Sequence, residues 1–168
     1  MAEYNDYMNS GLYSREMSSP PTESRAYILY SRDRDYDGNE MHVANVLADN
    51  GFNVKLTSEK NKMFATYIDK KGNPHYSDGT VSLYTYEQKT STRIDATAAA
   101  SVKQAIMHAN SKHSDVALIY DKSGLFHRGD IENGIEKYKG EHRIWKKAGA
   151  KTVLVVNKND EIYEHLIV

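Results

Sequence analysis

The sequence predicts an α/β or α+β fold in which helices flank a mixed central β-sheet, and three observations lead there. Two segments, "NEMHVANVLADNG" and "DATAAASVKQAIMHANSK", carry apolar residues at helical spacing. Short runs such as "FNVKLT", "TVSLYTYE", "DVALIY" and "KTVLVVN" have the length and apolar content of strands. The helical segments are interleaved with the strand segments, and such a chain buries its apolar faces by packing helices on a sheet.

Taken in order, residues 1–24 ("MAEYNDYMNSGLYSREMSSPPTES") are polar, have no apolar period and close on Pro20-Pro21, so they are expected to be a flexible leader. Residues 25–168 are expected to form a single domain. "RAYILY" reads as a short strand and "SRDRDYDGN" as a charged turn. In the first helix Val43, Ala44, Val46 and Leu47 form a stripe; Asp37 or Asn39 can cap its start, and Asn50-Gly51 stops it. "FNVKLT" and "MFATYI" read as strands, and "DKKGN" has turn chemistry. In the second helix Ala98, Val102, Ala105, Ile106 and Ala109 line one side, with Asp95 or Thr97 as cap. "DVALIY" reads as a buried strand and "DIENGIEKY" as a short helix weakened by Gly134. "EHRIWKKAG" fits helix or strand, and "KTVLVVN" with "EIYEHLIV" a closing hairpin around "KND".

Composition narrows the function. The 168 residues carry a formal net charge of −1, and 39% are apolar. Four acids and one base lie in residues 1–24, which leaves the rest near +2. Nucleic-acid contact would therefore need a local basic patch. No cysteine is present, which excludes disulfides, thiolate nucleophiles and Cys-based zinc sites. No apolar run approaches the roughly 20 residues of a membrane span, and "MAEYNDYMNS" lacks the features of a secretory signal.

The chemistry concentrates near "YSDGTVSLYTYEQKT". Strand alternation puts Val81, Leu83, Thr85, Glu87 and Lys89 on one face, with the apolar members expected in a core. That face ends in a carboxylate and an ammonium. Unpartnered burial of charge costs several kcal/mol, so the strand end either opens to solvent or holds a counter-charge. A divalent cation is one such counter-charge, because Mg²⁺ takes one or two carboxylates and completes its shell with water and phosphate. Asp78, in the turn leading into the strand, offers a second carboxylate. Glu40 offers a third, from the apolar face of its helix near the N-terminus.

The chain order is helix-Glu, Asp, Glu-x-Lys on a strand, then helix and strand. It resembles the PD-(D/E)xK nuclease superfamily. Glu40 matches the helix glutamate, Asp78 in "SDG" the motif aspartate, and Glu87 with Lys89 in "EQK" the last motif; Ser77 replaces the usual proline. More narrowly, about residues 39–120 resemble the C-terminal tRNA nuclease domains of contact-dependent growth inhibition toxins and related polymorphic bacterial toxins. The resemblance implies a restriction-endonuclease-like sheet and a metal-dependent endonuclease acting on tRNA, other RNA or DNA. It implies Mg²⁺ or Mn²⁺ on Asp78 and Glu87, with Glu40 completing the shell or acting as base. Lys89 would orient water or neutralise charge on the phosphate. Gln104, opposite the Val102/Ile106 stripe, would be the counterpart of a glutamine near the family's active site. An immunity protein is an implied partner. The implied place of action is the cytoplasm of the producing or target cell, reached in the second case as a secreted effector.

Other readings compete. A Glu-x-Lys pair is commonly solvated, and Asp69-Lys70-Lys71 fits the pattern while sitting in a turn. Glu59 reads as a surface acid. His127 and Arg128 in "GLFHRGD" follow a strand by a short loop and can hold phosphate, as substrate-binding residues or as the centre of a metal-independent RNase. His108 and His113 are badly spaced for a shared metal. A non-catalytic interaction module of a phage or mobile element is the main alternative in another class.

Overall fold

A computed structural model describes residues 1–91, 97–141 and 149–167. The chain divides into two compact units, Met1–Thr85 and Tyr86–Val168, where the sequence predicts one domain over 25–168.

The first unit holds α1 (Ala2–Asn9), β1 (Ile28–Tyr30), α2 (Gly38–Asp49), β2 (Val54–Leu56), a single 3₁₀ turn (Lys62–Phe64), β3 (Tyr67–Ile68), β4 (Pro74–His75) and β5 (Gly79–Val81). β1 runs parallel to β2 with Ile28 opposite Val54, and β2 runs antiparallel to β5 with Leu56 opposite Gly79. The core comes from Ile28, Leu29, Val43, Leu47, Val54 and Leu56, each no more than 1% exposed. Asp37 is the cap of α2, its Oδ1 accepting the Glu40 amide at 2.7 Å. Gly51 ends the helix turn at φ +87°, where a side chain would be strained.

Residues 1–24 differ from the flexible leader expected. Tyr4, Met8 and Tyr13 are buried in one cluster with Tyr27 and Leu29, and Tyr7, Leu12 and Phe64 pack against it. Ser19 exchanges bridging hydrogen bonds with Ile28, and Ser18 Oγ accepts the Tyr30 amide at 3.0 Å. The physical reason is that Tyr4, Tyr7 and Met8 share one side of a short helix, and each aromatic ring buries a large area despite its polar tip.

The strand expected from Val81 to Lys89 is also interrupted. The chain turns at Ser82-Leu83, with Ser82 at φ +53° and Leu83 90% exposed, so Leu83 does not enter the core. Alternation resumes only in β6 (Tyr84–Thr90). "MFATYI" yields only the 3₁₀ turn and the two residues of β3, which pair with β4 across the "DKKGN" turn. In that turn Asp69 Oδ1 accepts the amides of Lys71 and Asn73, both at 2.9 Å.

The second unit contains β6 from Tyr86 onward, α3 (Ala98–Ser111), β7 (Val116–Tyr120), α4 (Arg128–Glu141), β8 (Thr152–Val156) and β9 (Ile162–Leu166). β6, β7 and β8 are parallel neighbours, with Glu87 opposite Ala117 and Lys89 opposite Ile119, and β9 closes on β8 as the antiparallel hairpin expected. Every residue of β7 is buried, as in a strand covered on both faces. Of the predicted stripe of α3, Val102, Ala105, Ile106 and Ala109 pack with Ile131, Ile135 and Tyr138 of α4 and with Ala117, Ile119, Val153 and Val155 beneath, while Ala98 lies outside this buried cluster. Gly134 is the point of closest approach: a Cβ there would meet the Val102 Cβ at 2.4 Å and the Ala99 carbonyl at 2.8 Å. Thr97 caps α3 by accepting the Ala100 amide at 3.2 Å. The other cap candidate, Asp95, and most of "EHRIWKKAG" lie outside the described residues. Seven strands in mixed parallel and antiparallel pairing, with helices packed on them, make the α+β class that the sequence predicts.

Candidate functional site

Glu40 and Asp78 belong to the first unit, and they meet on a residue that the sequence reading passed over as part of a charged turn. Arg34 Nη2 lies 2.5 Å from Glu40 Oε2, 3.5 Å from Asp78 Oδ1 and 3.7 Å from Glu59 Oε1. Its Nη1 donates to the carbonyls of Asp78 (2.7 Å) and Thr57 (3.2 Å). Thr57 and Asp78 follow and precede the paired residues Leu56 and Gly79, so Arg34 seals the end of the β2–β5 ladder. The guanidinium sits 4.9 Å from the Tyr36 ring centroid, and the Tyr36 hydroxyl donates to the carbonyls of Ser31 and Leu56.

Burial shapes the electrostatics of this cluster. The Arg34 side chain is 6% exposed, Glu40 19%, Asp78 16% and Glu59 54%. Burial pushes the Glu40 carboxyl up to about 7; Arg34 opposes the shift, while Asp78, Asp37 and Glu59 reinforce it. Burial also works against the Arg34 charge, yet Glu40, Glu59 and Asp78 outweigh it and hold the guanidinium above its ordinary value. The two results agree physically. One cation shared among three carboxylates is firmly charged, while each carboxylate receives only part of its attraction. Nearby, Asp33 accepts from Ser31 and Ser58 hydroxyls at 2.6 and 2.7 Å, which fixes the segment carrying Arg34 and holds the Asp33 carboxyl below its usual range.

Glu87 and Lys89 belong to the second unit and share the face of β6 that looks toward α3. Glu87 Oε1 lies 3.4 Å from His108 Nε2, and Lys89 Nζ donates to Gln104 Oε1 at 3.4 Å. Gln104 and His108 are one helical turn apart on α3, and Glu87 and Lys89 alternate residues on the strand, so helix and strand match rung for rung. Gln104 lies off the core stripe, as the sequence indicates, and that position brings it over the strand end. His108 is a partner of Glu87 that sequence spacing missed; its i,i+4 relation to Gln104 is the signal that could have found it.

His127 and Arg128 stand at the start of α4 and line a cleft of about 490 Å³ with Phe126, Ile131, Tyr163 and His165. The cleft opens beyond the carboxyl ends of β7 and β8, the common place for ligand pockets in parallel sheets. Buried Asp121 shapes it by accepting the amides of Leu125 (2.7 Å) and Phe126 (3.1 Å). Arg128 pairs along its helix with Glu132 at 3.1 Å. Among the described residues no group of three or more His, Asp or Glu is arranged to hold a metal ion. No helix among them is long and apolar enough to cross a membrane.

Residue geometry and topology define an α+β protein with charged side chains gathered at strand ends. In comparisons with known proteins, no family model and no curated protein matches the chain. One solved structure does: a chain of the CdiA-CT/CdiI toxin and immunity complex from Burkholderia pseudomallei, with TM-score 0.55 and 14% identity over 82% of this chain and 98% of that one. At that identity the likeness is one of fold.

Proposed function

We propose that this chain is a bacterial toxin domain of the PD-(D/E)xK type that hydrolyses phosphodiester bonds in RNA, with tRNA favoured, or in DNA. The observation that carries the reading is the meeting of Glu40 and Asp78, far apart in sequence, in one half-buried cluster. The fold likeness to a toxin–immunity complex supports it, and makes an immunity protein the expected partner.

The donor set fits a hard divalent cation such as Mg²⁺ or Mn²⁺. Carboxylate oxygens are its preferred ligands, and Glu40, Glu59 and Asp78 gather carboxylates around one guanidinium. Glu40 and Asp78 would hold such a cation in the first unit, and Glu87 is the carboxylate ligand that the second unit offers; a bound cation would polarise the scissile phosphate and acidify water. Glu40, with its pKa raised to about 7, is suited to accept the proton of the attacking water. Water oxygen bonds to phosphorus while the bond to the leaving ribose oxygen breaks. Lys89, steadied by Gln104, supports the charge that gathers on the phosphate oxygens. His127 and Arg128 bind the substrate backbone from the cleft.

Two other readings each have an observation in their favour. Arg34 already supplies positive charge to Glu40 and Asp78, which suits a non-catalytic module. The cleft with His127, Arg128 and His165 suits metal-independent RNA cleavage. Incubation of the purified chain with total tRNA, total RNA and plasmid DNA separates the three. The proposal expects cleavage with Mg²⁺ or Mn²⁺ and none with EDTA. Cleavage that survives EDTA points to the cleft, and none under any condition points to a module.

A further inference from the structure

Arg34 has a division of labour within one side chain. Nη1 is fixed to two backbone carbonyls at the end of the β2–β5 ladder, and Nη2 faces carboxylates. Those carboxylates come from three separate segments: the first turn of α2, the loop after β2 and the turn before β5. A planar fork anchored on one edge is a rigid template for acceptors on the other.

We propose that Arg34 is a positioning residue of the carboxylate site. It is a built-in cation that gathers Glu40 and Asp78 before any metal binds, and it carries charge balance that a divalent cation can take over. The inference rests on the metal-binding reading of Glu40 and Asp78. Without Arg34 the three carboxylates face one another in a partly buried place, and each disfavours the ionisation of the others. A bound divalent cation then relieves more repulsion in the variant than in the wild type, so it stabilises the variant more. Lysine keeps the charge but cannot donate from one plane to both carbonyls and carboxylates.

The test is thermal unfolding of wild type, Arg34→Met and Arg34→Lys in EDTA and in Mn²⁺. Arg34→Met should melt lower than wild type in EDTA, and its upward shift in Mn²⁺ should be at least about twice the wild-type shift. Arg34→Lys should fall between them. Adding Glu40→Gln and Asp78→Asn to Arg34→Met should remove the extra shift, which ties it to this cluster. Equal Mn²⁺ shifts in wild type and Arg34→Met would overturn the inference and leave the metal reading standing. A shift in Arg34→Met with none in wild type would remove the metal reading of the native site and the inference with it. No shift in either overturns both. Should Arg34→Met fail to fold in EDTA, refolding in Mn²⁺ is expected to recover the native near-ultraviolet dichroism, and no recovery counts against the inference.

Discussion

Two forces of opposite sign act on the Glu40 carboxyl: burial favours the neutral acid, and Arg34 favours the carboxylate. Burial prevails, so the folded state holds this proton up to about pH 7, whereas the unfolded chain releases it near the ordinary glutamate value of 4.5. Across that window the folded state binds the extra proton, and the stability it contributes, present below the unfolded value, is lost as pH rises toward 7. The expected loss is about 1–3 kcal/mol between pH 4.5 and 7.5. Chemical denaturation at several pH values checks it when wild type is compared with Glu40→Gln, which should lack this component. Parallel pH profiles for the two proteins would contradict the assignment. Glu40 itself was legible in the sequence, because its place on an apolar stripe near a capped helix start is a local pattern. Arg34 was not. Its partners come from α2 and from loops about 25 and 44 positions away, and "SRDRDYDGN" by itself reads as solvated turn chemistry.

Elements with a local period were read well, and those fixed by a tertiary partner were not. α2 and α3 matched their apolar stripes, and Asp37 and Thr97 capped them as spacing allows. The break at Ser82-Leu83 escaped, since alternation continues through it on paper while the left-handed φ at Ser82 is visible only in the backbone. The polar-looking start of the chain escaped for another reason: tyrosine lowers apolar counts yet packs as an aromatic. Tyr13, 3% exposed and edge-on to Tyr7 and Phe64, should cost about 3–5 kcal/mol when changed to Ala. Deletion of residues 1–24 should lower the melting temperature clearly in a calorimetric scan. An unchanged melting temperature would mean that the Tyr4–Tyr27 cluster contributes nothing. Gly134 was read as a weak point of α4, but it is where α4 meets α3. Gly134→Ala gains about 1 kcal/mol of helix propensity and meets a backbone carbonyl at 2.8 Å that cannot yield. The clash should win, and urea denaturation should show a net loss of about 1–3 kcal/mol.

For the molecule as a whole, mixed sheet, helix order and a toxin-like fold were all accessible from residue order, whereas the division at Thr85/Tyr86 was not. Interleaved helices and strands specify layers, but contact density decides how many compact units those layers make. The central proposal is that Asp78 and Glu87 are each needed for divalent-cation binding and for cleavage, and that Lys89 is needed for cleavage but not for metal binding. Calorimetric titration with Mn²⁺, paired with cleavage of total tRNA, tests it on wild type, Asp78→Asn, Glu87→Gln and Lys89→Met. The account predicts that the two carboxylate variants lose both Mn²⁺ binding and cleavage while remaining folded, and that Lys89→Met loses cleavage but still binds Mn²⁺. Full cleavage by Glu87→Gln would contradict it.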